Sequence, residues 1–156
     1  MRFTTTVVWA CTGMDTTQLS YRLAQAESEK GKTLLAELPC LGIPRLGFTA
    51  NIMDRTCSME SVIMKMEQGE SQQSQMVHQV HSQLGVLPAS VFATPDTPIT
   101  TKVNMSTLIS VAENLMEFAK GEHCRHLILD CQGQLTSPMT FFALKHADRV
   151  IIPINK

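Results

Sequence analysis

The stretch Thr4-Thr-Thr-Val-Val-Trp-Ala10, running into Cys11-Thr-Gly-Met-Asp-Thr-Thr-Gln18, decides the fold. Its first half is β-branched and aromatic, the composition of a strand, and it breaks into a turn at Cys11-Thr12-Gly13. Apolar residues then recur near helical spacing at Leu19, Leu23, Ala24 and Ala26. Asp15 or Thr16 stands where it can cap the start, and Gly31 ends the run. A strand, a small-residue turn and a helix in this order can aim backbone N–H groups at an anion.

Outward from this unit, strands and helices alternate. Thr33 to Leu38 reads as a second strand, and the Pro/Gly-broken stretch from Pro39 to Leu46 as a loop at the rim of a sheet. Ser58 can cap a helix over Met59–Gln68. Met76, Val77, Val80 and Leu84 fall on one stripe of a second predicted helix, Glu70 to Leu84. A short strand interrupted by proline follows at 85–93, then a proline-bearing loop at 94–101. Next comes the clearest helix, with Met105, Leu108, Ile109, Ala112, Leu115, Met116 and Ala119 on one face and Gly121 at its stop. His126 to Asp130 reads as a strand ended by a carboxylate, Ser137 to His146 as a helix and Arg149 to Ile154 as a final strand. This order predicts an α/β fold, a mainly parallel sheet with helices on both faces. Ligands of such sheets gather at the carboxyl ends of the strands, so Cys11–Thr17, Pro39–Leu46 and Asp130–Gln134 should converge on one site.

With 156 residues and 44% hydrophobic content the chain predicts one domain with a real core. Thirteen Lys+Arg against fourteen Asp+Glu leave no basic excess, so direct nucleic-acid binding is not expected. The first residues are too Thr-rich for a secretion signal, and no apolar run reaches membrane-spanning length; the expectation is a cytoplasmic protein. The five irregularly spaced cysteines read as thiols rather than a disulfide framework, and most of the ten methionines as core fillers. His78 and His81 on one predicted helix face, and the compact His123-Cys124-x-His126, fit no four-ligand zinc spacing. No Gly-x-Ser-x-Gly elbow supports a serine nucleophile.

Cys11 to Gln18 resembles the deviant Walker A loop of ParA/MinD ATPases, Lys-Gly-Gly-Val-Gly-Lys-Thr-Thr. Matched residue by residue, the signature lysine falls on Cys11, the three glycines on Thr12, Gly13 and Asp15, the second lysine on Thr16 and the magnesium-binding hydroxyl on Thr17. Gly31-Lys-Thr-Leu-Leu-Ala-Glu-Leu-Pro-Cys-Leu-Gly-Ile-Pro-Arg-Leu-Gly47 resembles the family's second strand and switch, whose two aspartates fall on Glu37 and Pro39. His126-Leu-Ile-Leu-Asp-Cys-Gln-Gly133 is similar to the Walker B strand, with Asp130 in the magnesium-facing position, and Ala147-Asp-Arg-Val-Ile-Ile-Pro153 to a later family strand. Within the family the look is nearest to the CpaE/TadZ branch of Flp-type pilus assembly, which the Gly85–Ala89 text also resembles.

The resemblance implies a P-loop domain over residues 1–156, incomplete at its C-terminal end. Its nucleotide-binding set would be Cys11, Thr12, Gly13, Met14, Asp15, Thr16, Thr17, Gln18 and Asp130, with Thr17 and Asp130 facing magnesium if nucleotide binds. Both family lysines are absent, and one lysine about 4 Å from a phosphate is worth roughly 4 kcal/mol at an effective dielectric near 20. Asp15 adds a negative charge, and Pro39 cannot polarise water. The expectation is therefore a degenerate site with no catalytic residue assigned, in a localisation or assembly scaffold for pilus assembly or secretion. Its partners would be proteins, including a second copy held independently of ATP through apolar surface at Met59–Leu84 or beyond Ile154. An active Mg-ATP-dependent switch in partition or positioning is the alternative.

Overall fold

The structure is a computed structural model that describes residues 2–10, 14–39, 44–70, 74–94, 102–132, 135 and 137–154. Among them six strands form one sheet: β1 (Thr4–Ala10), β2 (Thr33–Leu38), β3 (His78–His81), β4 (Leu84–Leu87), β5 (His126–Gln132) and β6 (Arg149–Ile151), in the order β3-β4-β2-β5-β1-β6. Every pairing is parallel except the β3–β4 hairpin. The helices are α1 (Thr17–Ser28), α2 (Leu46–Thr49), α3 (Met59–Glu67), α4 (Met105–Gly121) and α5 (Pro138–His146).

Strand alternation divides the core in two. Val7, Leu34, Ala36, Leu38, Leu127 and Leu129 point to the face covered by α3, α4 and α5. Val8, Leu35, Val86 and Ile128 point to the other, covered by α1 and α2. Glu37 and Asp130 share parity with Leu35 and Ile128, so both carboxylates lie on the α1 side. That placement shapes α1: its buried positions are Thr17, Ser20, Ala24, Glu27 and Ser28, and Leu19 is 41% exposed. The leucine-bearing face expected from sequence is thus turned outward at Leu19, because the sheet beneath α1 carries polar groups that only hydroxyls and a carboxylate can satisfy.

The expected helix over Glu70–Leu84 is not formed. A 3₁₀ turn at Ser74–Met76 leads into β3, a turn and β4. Met76 and Val77 are buried, but Val80 lies exposed on an edge strand, and all of β4 is buried against β2. The apolar stripe was a coincidence of spacing, overridden by the tertiary pairing of β4, and His78 and His81 therefore share no helix face. The Ser58 cap is present, with its Oγ accepting the Ser61 N–H. β5 runs two residues past Asp130, so that carboxylate sits within the strand rather than at its end. β6 is described as Arg149–Ile151, shorter than the strand expected to Ile154. Met59, Met76 and Met139 fill the core, whereas Met53 and Met105 are exposed.

Glu67 ends α3 and caps its neighbour. It accepts the Asn104 N–H at 3.3 Å and the Asn104 side-chain amide at 2.5 Å, just before α4, and the Thr107 hydroxyl in its first turn. Since Asn104 makes no side-chain cap bond of its own, Glu67→Ala removes the cap from the long helix. Urea unfolding should show a loss of about 1–2 kcal/mol, as for other lost caps.

Candidate functional site

The β1–α1, β2–α2 and β5 elements meet at the carboxyl end of the sheet, as the strand order requires. Cys11, Thr12 and Gly13 lie outside the described residues, as do residues 40–43. Of the other residues matched to the phosphate loop, Thr16 and Thr17 are buried, Met14 is half-buried, and Asp15 and Gln18 are exposed.

Asp130 is fully buried, at 0% exposure. Its Oδ1 accepts the Thr16 hydroxyl at 2.5 Å and the Ser20 hydroxyl at 2.9 Å, and its Oδ2 accepts the Thr17 hydroxyl at 3.0 Å. Residues 16, 17 and 20 fall on one side of the first turns of α1, so a single helix face delivers all three donors. Burial pushes the Asp130 carboxyl above the usual carboxylate range; the Thr16, Ser20 and Thr17 hydroxyl bonds oppose that shift. Ser20 is the member of this set that sequence reasoning missed, although its spacing from Thr16 and Thr17 was visible.

Thr16 precedes α1 as its N-cap residue but makes no side-chain cap bond; the Thr17 N–H goes to Asp15 Oδ1 at 2.9 Å. The same oxygen lies 3.4 Å from Arg45 Nη1, on the segment that enters α2. Arg45 was not singled out from the sequence, because nothing local to it indicates a partner thirty residues away.

Glu37 lies opposite Asp130 in the β2–β5 register and is also 0% exposed. Its Oε2 accepts the Arg45 and Leu46 N–H groups, each at 3.1 Å, and its Oε1 accepts the Ala89 N–H at 2.9 Å. Burial, then the neighbouring Asp130, push its carboxyl up to about 7 against the backbone N–H bonds that lower it. The side chain thereby fixes both the start of α2 and the segment after β4. Gly47 permits the close approach of these two, for a Cβ there would come 2.7 Å from Val91 Cγ1. Glu60 holds the next residue, accepting the Ser90 N–H at 2.6 Å.

The site can therefore be described as two buried carboxylates on adjacent strands, one closed over by hydroxyls of α1 and one by backbone N–H groups of two loops. Among the described residues no group of three or more His, Cys, Asp or Glu side chains is placed to hold a metal ion. Among them, too, no helix is long and apolar enough to cross a membrane.

Neither a protein-family model nor a curated protein sequence matches the chain. Solved structures do. A ParA family ATPase from Chlorobium tepidum TLS superposes with a TM-score of 0.73 at 16% identity over 97% of this chain and 60% of that one. The septum site-determining protein MinD complexed with Mg-ADP from Pyrococcus horikoshii OT3 gives 0.69 at 18% identity, over 97% and 57%. Cobyrinic acid a,c-diamide synthase from Mycobacterium smegmatis, with bound ATP analog and magnesium, gives 0.71 at 18% identity, over 97% and 60%. The chain spans about three fifths of the length of these structures. At such identities the likeness is one of architecture, and the chain has the P-loop NTPase-like α/β fold that these ParA- and MinD-type proteins share.

Proposed function

We propose that the chain is a ParA/MinD-like protein whose ancestral nucleotide site is filled by its own side chains, and that it works as a localisation or assembly scaffold through protein contacts. Pilus assembly or secretion, the setting implied by the CpaE/TadZ resemblance, is the proposed context. The observation that carries this reading is the closure of Thr16, Thr17 and Ser20 on Asp130.

Mg-ATP is the group the fold implies, and the described residues do not fit it. Thr17 and Asp130, the residues that would face magnesium, bond to each other at 3.0 Å, a contact that a metal ion would have to share. Thr16 stands where the resemblance places the second lysine, and brings a neutral hydroxyl already bonded to Asp130. Asp15 sets a carboxylate at the helix start, where the resemblance places a glycine, so a phosphate would meet a negative charge there. Glu37 matches a switch aspartate, but its oxygens hold the backbone of two loops.

Protein contacts would use exposed apolar side chains. Phe48 and Met53 are exposed near the site, as are Val150 on β6 and Ile152 and Ile154 after it. A homodimer would rest on such apolar surface and ignore nucleotide. Of the other surface considered, α3 remains a helix, whereas the expected helix from Glu70 to Leu84 is replaced by the 3₁₀ turn and the hairpin.

Calorimetry with Mg-ATP and Mg-ADP tests the reading. The expected result is no binding heat at about 1 mM nucleotide and no phosphate release, with an unchanged sedimentation coefficient. Tight Mg-ATP binding with turnover that disappears in Thr17→Ala would replace it with the active-switch alternative.

A further inference from the structure

We propose that Asp15 is an internal anion: it takes the place of a bound phosphate at the N-terminal end of α1 and, through Arg45, ties the segment carrying α2 to that end. The inference rests on the reading of the site as closed to nucleotide and adds to it a device that fixes the start of α2 without any ligand.

One carboxylate oxygen carries the case. Asp15 Oδ1 accepts the Thr17 N–H at 2.9 Å and lies 3.4 Å from Arg45 Nη1. A helix-start N–H and a guanidinium are the two kinds of donor that a phosphate oxygen would seek. With the Thr16 hydroxyl committed to Asp130, Asp15 is the side chain that caps the first turn of the 12-residue α1. Arg45 is held from two directions, its main chain by Glu37 on β2 and its side chain by Asp15. The segment entering α2 is thus fastened to the sheet and to α1 by separate carboxylates.

Asp15 precedes the helix by two residues and is half-exposed, so its carboxylate is permanently at high local concentration. A free anion must displace it. The glycine that the resemblance places here would supply neither contact, and the segment would then have to wait for a ligand to be ordered.

Hydrogen exchange of the full chain, read by mass spectrometry with inorganic phosphate as the probe, tests this. In the parent, peptides covering residues 44–52 should exchange at a rate that about 10 mM phosphate leaves unchanged. In Asp15→Gly they should exchange about threefold faster, and phosphate should slow them again. Asp15→Asn keeps an oxygen for the Thr17 N–H but loses the charge facing Arg45, and should fall between the two. Peptides from β5 serve as the internal control for folding, and Asp15→Asn, an isosteric change at a half-exposed site, provides the test if the glycine variant does not fold. Unchanged exchange in the variants would overturn the proposal. So would acceleration that phosphate does not reverse, or a parent as responsive to phosphate as Asp15→Gly. Mg-ATP binding to the parent in calorimetry would instead count against the closed-site reading, because the exchange rates without nucleotide test the Asp15 tether by itself.

Discussion

Asp130→Ala is expected to lower the free energy of unfolding by about 3 kcal/mol in urea titrations near neutral pH, with Asp130→Asn costing about 1 kcal/mol. The reason is that Thr16, Thr17 and Ser20 are buried and all three hydroxyls use the Asp130 carboxylate as acceptor. Alanine leaves those hydroxyls without it in a buried site, where an unpaired polar group costs about 1–3 kcal/mol. Asparagine keeps one oxygen and nearly the same volume. Part of the loss is offset, since Glu37 is relieved of a like-charged neighbour. The opposite outcome belongs to a working magnesium site: a carboxylate reserved for an absent cation is repelled and desolvated, so its removal leaves stability unchanged or raises it. An Asp130→Ala protein as stable as the parent would therefore sink the filled-site reading.

The architecture was legible in the sequence because it depends on local patterns. The β-branched run of β1, the apolar run of β2 and the stop at Gly121 each report an element from a few neighbouring residues. The order of strands and helices then restricts the topology to a parallel sheet. What failed was anything decided by partners distant in sequence. Nothing in Glu70–Leu84 itself says that Leu84–Leu87 will be buried beside β2, which is what makes it a strand. Nothing in α1 says that Leu19 will face outward; the cause is Asp130, more than a hundred residues away. The site was half legible for the same reason. Thr16, Thr17 and Asp130 were brought together by resemblance and do meet, whereas the use of Glu37 as an acceptor for two loops depends on Arg45, Leu46 and Ala89 arriving at one point in space.

The stability of the chain should fall as pH rises from about 5 to 8, and Glu37 should be the main cause. Its carboxyl is raised from 4.5 to about 7 in the folded protein. A folded-state value above the unfolded one means that the native state holds a proton the unfolded chain has released, so the contribution is complete below about 4.5 and is lost as pH climbs through about 7. A rise of this size corresponds to about 3 kcal/mol. Asp130, also raised by burial, acts in the same direction. His126 opposes them: burial lowers its folded value below 6.5, so its contribution is lost as pH falls, and it blunts the acid side of the profile. Geometry makes the Glu37 effect local as well as global. N–H donors face both of its oxygens, so a proton placed on Oε2 opposes the Arg45 and Leu46 N–H groups and one placed on Oε1 opposes that of Ala89. Protonation therefore favours the folded state overall while weakening one of the two loop attachments. Urea unfolding at half-unit steps between pH 5 and 8 measures the slope in the parent and in Glu37→Gln. The variant loses a constant amount of stability, because its amide can accept at only one end, but its profile should be flatter by about 3 kcal/mol across the range. An identical slope in the two proteins would show that Glu37 does not carry a proton into the folded state, and the account of two crowded carboxylates at the centre of this sheet would have to be abandoned.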